Sequence, residues 1–222
     1  FPHEFFDEME IKMQKAYREM AQLEAGVVAN PDENRMVGHF WLRAPRLAPQ
    51  PEIAREIEEN IKAIKQFAAE VHQGKIRPRD GLVYKNFILI GIGGSALGPQ
   101  LITDALKPGT VALQPFFIDN TDPDGMDRVM EKIGDDLDET LALVISKSGG
   151  TVETHNGMLE VKNRYSRQGV IFADHAAAVT VTGSKLDWLS RQEGWLARFP
   201  LWGWVGGRTS VTSTVGLLPA AL

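Results

Sequence analysis

The sequence predicts an α/β fold: a parallel sheet flanked by helices in a flavodoxin-like three-layer sandwich, preceded by a helical N-terminal segment. Three observations carry this expectation. Short continuous apolar runs, typical of strands buried on both faces, begin only after Gly81. Helical stretches follow these runs in turn, which gives β-α-β units. Before residue 80 the apolar spacing is that of two helices. The expected organisation is a helical segment over 1–80 and an α/β domain over 81–222.

The elements follow in order. Phe5, Met9, Met13, Ala16, Met20 and Leu23 recur at helical steps, and Gly26 closes that helix. Residues 29–50 read as irregular, with prolines at 31, 45 and 49. Pro51 opens a second helix whose face is Ile53, Ile57, Ile61, Ile64, Phe67 and Val71, with Gly74 as its stop. Phe87 to Ile92 is the first strand, and a helix through Leu97, Leu101, Ile102 and Leu106 ends at Pro108-Gly109. Phe116–Ile118 is a strand, Asp124–Ile133 a helix, Leu141–Ile145 a strand and Thr151 to about Arg167 a helix. Val170–Phe172 and Val179–Val181 are further strand candidates.

Composition bounds the function. The chain has 222 residues, a formal net charge of −5 and no cysteine. An acidic balance argues against a nucleic-acid binder, whose affinity rests on clustered Lys and Arg. Without cysteine there is no disulfide, thiolate metal site or Cys nucleophile. No apolar stretch approaches the roughly 20 residues of a membrane span. The start at Phe1 without Met and the apolar end at Leu222 lead us to expect a piece of a longer chain. Residues 119–139 carry nine acidic and two basic side chains and read as a solvated helix face and turn rather than a metal site.

Gly91-Ile92-Gly93-Gly94-Ser95-Ala96 satisfies G-x-G-x-x-(G/A) directly after the first strand. Glycine there lets backbone N–H groups approach an anion, and the following helix adds its positive end. A dinucleotide, a sugar phosphate or no ligand at all fits this turn. Asp119, at the end of the next strand, stands near where a ribose-binding acid would sit. A nucleotide P-loop is excluded, because G-x-x-x-x-G-K-(S/T) is absent.

A second turn shifts the balance. Ser146-Lys147-Ser148-Gly149-Gly150-Thr151-Val152-Glu153-Thr154 puts four hydroxyls, a lysine and two glycines at a helix start. Capping needs one hydroxyl. Four beside a lysine suit a phosphate dianion. A third stretch, Trp204-Val205-Gly206-Gly207-Arg208-Thr209-Ser210, brings a backbone and a permanently charged guanidinium close to something small.

Together these stretches resemble the glucose-6-phosphate isomerase family. The likeness rests on Gly91-Ile92-Gly93-Gly94-Ser95-x-Leu97-Gly98-Pro99, on Ser146-Lys147-Ser148-x-x-Thr151-x-Glu153-Thr154 and on Trp204-Val205-Gly206-Gly207-Arg208-x-Ser210. It extends upstream through Asn30, Glu33, Arg35, Val37, His39, Leu42 and Arg43. The resemblance implies a sugar-isomerase (SIS) fold and an aldose-ketose isomerase of glycolysis and gluconeogenesis. That enzyme interconverts glucose 6-phosphate and fructose 6-phosphate through a cis-enediolate. It implies a phosphate site at Ser95, Ser146, Ser148 and Thr151, with Lys147 and Thr154 in the same loop. Gly94 and Gly207 would line the sugar, and Arg208 would stabilise the enediolate. No cofactor or metal is implied. The expected partner is a phosphorylated hexose, with no nucleic acid or membrane, in a cytoplasmic protein that is a homodimer at full length. Family members often carry Asp where Gly203 stands and an aromatic residue where Thr209 stands.

The family's base glutamate, ring-opening histidine and late lysine come after the Gly-Gly-Arg motif, so this chain alone is expected to be inactive. Glu153 reads as support for the helix start, His155 as a first-turn residue, and His39 and His175 as structural or surface histidines. The alternatives are a non-catalytic sugar-phosphate-binding module of the same fold and a dinucleotide-dependent oxidoreductase.

Overall fold

A computed structural model describes residues 2–78, 81–106, 109 and 111–222. The expected boundary after residue 80 and the helix stop at Pro108 lie outside these residues. Helix α1 (His3–Glu24) leads into a two-stranded antiparallel hairpin, β1 (Val28–Asn30) and β2 (Arg35–Met36), then α2 (Pro51–His72). The sheet strands are β3 (Asn86–Ile90), β4 (Gln114–Ile118), β5 (Thr140–Ile145), β6 (Ala176–Thr180) and β7 (Ala197–Pro200). Between and after them run α3 (Gly94–Leu106), α4 (Pro123–Ile133), α5 (Val152–Arg167), α6 (Lys185–Gln192) and α7 (Thr214–Ala221).

All five sheet strands are parallel, in the order β4-β3-β5-β6-β7. Counted along the chain this is 2-1-3-4-5, the flavodoxin-like order. Alternate residues feed two cores. Phe87, Leu89, Leu141, Leu143 and Ile145 pack with α2 and α7, through Ile57, Ile64, Phe67 and Leu218. Ile88, Ile90, Ala142 and Val144 pack with α4 and α5, through Met126, Met130, Met158 and Tyr165. A strand buried on both faces must be apolar at every position, which is why these runs are continuous. Helix α2 thus shares a core with the sheet.

Four details depart from the sequence expectations. Val170–Phe172 is not a strand. Gly169 has φ +73 and ends α5, the Val170 N–H donates to Tyr165 O at 2.9 Å, and Phe172 opens a short 3-10 helix at 172–175. This cap claims the residues that read as a strand. The next strand is the alanine-rich β6 at Ala176–Thr180, which excludes Val181. Residues 29–50, read as irregular, hold part of the β1–β2 hairpin. Finally, α1 forms as expected but buries no residue, and Ile11 on it is 74% exposed.

Candidate active site

The strand order reverses between β3 and β5, and both suited turns leave the carboxyl ends of these neighbouring strands. In a doubly wound sheet this switch point is where ligands bind. The turn after β3 runs directly into α3, with the Ser95 N–H donating to Ile92 O at 3.1 Å. The loop after β5 runs into α5, whose N-cap is Thr151.

Thr151 makes no side-chain cap hydrogen bond. Its hydroxyl instead accepts from Ser146 Oγ at 3.2 Å and lies 3.5 Å from Ser148 Oγ. The cluster is therefore not explained by capping. Gly149 has φ +66, and a Cβ on it would lie 2.6 Å from Leu186 N and 2.7 Å from Ser184 Oγ. Only glycine lets the loop lie this close to the start of α6. From the next strand, Thr180 Oγ1 donates to Ser146 O at 2.6 Å and meets Ser184 Oγ at 2.7 Å.

Ser148, Thr151 and Ser184 line a cavity of about 510 Å³ together with Ser95, Lys147, Thr154, Glu33 and Arg35. Thr154 Oγ1 is buried and has no hydrogen-bond partner among the described residues. A buried orphan hydroxyl is costly unless a ligand or water satisfies it. A larger cavity of about 610 Å³ shares Thr151, Thr154 and Ser184, is reached by Ser146, and is walled by Val152, Met158, Trp188 and Leu189.

Arg208, Gly207 and Gly94 line a third cavity, of about 500 Å³, on the other side of the glycine turn. Arg208 is exposed there. The one Ser210 hydroxyl hydrogen is shared between Gly207 O (2.7 Å), in its own loop, and Gly94 O (3.1 Å), and the second contact ties the arginine loop to the turn. All nine singled-out residues therefore lie around the carboxyl ends of β3 and β5. Eight of them divide between the 510 Å³ and 500 Å³ cavities, with Gly93, Gly94 and Ser95 between the two, and Ser146 lines the larger 610 Å³ cavity.

Lys147 has a different surrounding from the one its sequence suggests. Its Nζ donates to Gly203 O at 2.8 Å and Val205 O at 2.7 Å. Burial, followed by the nearby Arg35 charge, lowers its pKa below the usual lysine value, and Glu33 offsets this in part. The other cation at this cavity, Arg35, is one that sequence reasoning placed only in the upstream segment. It pairs with Glu33 at 3.1 Å, and Asn30 Nδ2 holds the same carboxylate at 3.1 Å. The signal was the Asn30–Glu33–Arg35 charge cluster itself.

Other expectations resolve more simply. Asp119 accepts from Gln100 at 2.8 Å and Asn120 at 3.1 Å. Asp122 in the acidic run caps α4 through the Gly125 N–H. His175 is buried against Tyr84 and Tyr165. Among the described residues no group of three or more His, Asp or Glu is placed to hold a metal ion, and no helix is long and apolar enough to cross a membrane.

The strand order, with a cleft at the switch point between two glycine- and hydroxyl-bearing turns, defines a doubly wound α/β domain of the sugar-isomerase kind. A sequence model of the phosphoglucose isomerase family matches residues 6–222, and the chain belongs to that family. It is 59% identical over 223 residues to the glucose-6-phosphate isomerase of Geobacter sulfurreducens, covering all of this chain and 42% of that protein. It is 54% identical to that of Desulfitobacterium hafniense, with the same coverage. A crystal structure of a glucose-6-phosphate isomerase from Chlamydia trachomatis superposes with a TM-score of 0.79 at 30% identity, over 93% of this chain and 40% of that one. The chain thus spans about 42% of the length of these curated relatives.

Proposed function

We propose that this chain supplies the phosphate site and the charge-stabilising arginine of an aldose-ketose isomerase that interconverts glucose 6-phosphate and fructose 6-phosphate through a cis-enediolate. The observation that carries this reading is the approach of the arginine loop to the glycine turn, beside the hydroxyl loop of Ser146–Thr154. A hexose 6-phosphate has its phosphate and its reacting carbons at opposite ends, which suits two adjoining cavities.

In this reading Ser95, Ser146, Ser148, Thr151 and Thr154 hold the phosphate with hydroxyl and backbone donors, and Arg35 supplies charge. Phosphate binding remote from the reacting carbons positions the open sugar. Arg208 stabilises the oxyanion that develops as a proton moves between C2 and C1, because its guanidinium is charged before the reaction begins. By resemblance, the base, the ring-opening histidine and the late lysine come after the Gly-Gly-Arg motif. The 222-residue chain alone is therefore expected to bind substrate without turning it over.

Calorimetric titration with glucose 6-phosphate, inorganic phosphate and NAD tests this. Wild type should bind the two phosphates, and Ser146→Ala with Thr151→Ala should lose at least about tenfold in affinity, given about 1.5–3 kcal/mol for a hydrogen bond to a charged group. Unchanged sugar-phosphate affinity in the double variant would remove the phosphate loop. Tight NAD binding with no sugar-phosphate response would select the oxidoreductase instead.

A further inference from the structure

The carbonyls before the arginine loop are fully engaged. Trp202 O accepts from Val205 N at 3.1 Å, Trp204 O from Gly38 N at 3.0 Å, and Gly203 O and Val205 O both accept from Lys147. Val205 is completely buried, so water does not readily replace that ammonium. Lys147 belongs to the hydroxyl loop after β5, while its two acceptors lie 56 and 58 residues further on. Downstream of Arg208, Ser210 makes the matching tie to Gly94. The arginine loop is thus held on both sides, by one turn at each end.

We infer that Lys147 is a positioning residue, whose ammonium tethers the phosphate loop to the Gly203–Val205 segment and so sets the place of Arg208. This inference rests on the phosphate-site reading proposed above. Two carbonyls converging on one point require a donor with several hydrogens, delivered on a long stem. An ammonium has three, on a flexible four-carbon chain. Charge-assisted hydrogen bonds at 2.7–2.8 Å are strong ones. With two donors spent on carbonyls, Lys147 is poorly placed to be the principal phosphate ligand. Arg35, lining the same cavity, can carry that charge. Occupancy of the phosphate loop and order in the arginine loop are then coupled through one side chain.

The test is hydrogen–deuterium exchange over residues 203–211 in wild type and Lys147→Met, with and without inorganic phosphate, alongside phosphate affinity by calorimetry. The tether requires at least tenfold faster ligand-free exchange at 203–206 in the variant, with the sheet strands unchanged. It also requires phosphate affinity within threefold of wild type. Phosphate should slow exchange at 203–208 in wild type and no longer do so in the variant. Wild-type exchange rates in Lys147→Met, or a more than tenfold loss of phosphate affinity with those rates intact, would overturn the inference. If Lys147→Met does not fold, Lys147→Gln, which keeps a neutral donor, is read by the same criteria. Failure of wild type to bind phosphate would sink the phosphate-site reading instead, and ligand-free exchange alone would then decide the tether.

Discussion

Gly94 and Gly207 meet backbone to backbone across 113 positions of sequence. A Cβ built on Gly94 would fall within 2.7 Å of the Gly207 Cα and inside the van der Waals envelope of its carbonyl. Gly94 opens α3, and Gly207 stands directly before Arg208. The glycine at position 94 is therefore set by the arrival of the arginine loop.

Gly94→Ala should accordingly displace the arginine loop. Overpacking of this kind costs about 1–3 kcal/mol, which urea denaturation reads as a lower midpoint at unchanged slope. Gly206→Ala is the control, since its Cβ would make only an ordinary contact with Thr209 Oγ1 at 3.4 Å. Equal stability of the two variants would mean that the contact is not tight in solution.

What could be read from sequence follows from range. The hydroxyl loop is local, four side chains in nine residues at a strand end, and its chemistry stands out in one glance along the chain. The partners of Lys147 are more than fifty residues away, and no spacing rule points from an ammonium to two backbone carbonyls. β3 and β5 are legible because burial on both faces makes them uniformly apolar. β6 opens with three fully buried alanines, a residue type with weak strand preference, so only its end at Val179–Thr180 reads as strand, beside a Val170 run that reads as one and is not. Ser184-x-x-Asp187 is a helix-start signature that was available and would have located α6.

Thr154→Val should separate stability from binding. The buried hydroxyl has no partner among the described residues, and valine keeps the shape. Removing an unsatisfied polar group should leave the ligand-free protein as stable or about 1 kcal/mol more so. If the hydroxyl serves the phosphate, affinity for inorganic phosphate should fall severalfold in the same variant. A loss of stability comparable to that of a core deletion would show that an ordered water already satisfies Thr154.

Arg35→Met tests the source of positive charge at the proposed phosphate cavity. Arg35 stands half-exposed, paired with Glu33. Its loss should weaken phosphate binding about five- to tenfold at low salt and less at high salt, because partly exposed charges are screened over about 10 Å at 0.1 M. Calorimetry at two ionic strengths reads both effects. A salt-independent loss would point to a packing defect rather than lost charge.

Asp187 gives a pH-dependent outcome. It is buried at the start of α6 and supports the Gly183–Ser184 edge of the 510 Å³ cavity. Burial pushes its carboxyl pKa up. The Gly183 N–H at 2.8 Å, then Arg191 at 3.1 Å and the charge of Arg198, outweigh this and hold it below the usual carboxylate value. A carboxyl depressed in the folded state contributes stability that is fully present above the unfolded value of about 3.9. That contribution is lost as pH falls through the folded value. Asp187→Asn should therefore be about 1–2 kcal/mol less stable than wild type at pH 7. The difference should shrink as pH falls below about 4 and through the folded value, where the wild-type carboxylate is itself protonated. Thermal melts of both proteins across that range measure it. A gap that stays constant throughout that fall would mean that the charge on Asp187 adds nothing beyond its shape and hydrogen bonding.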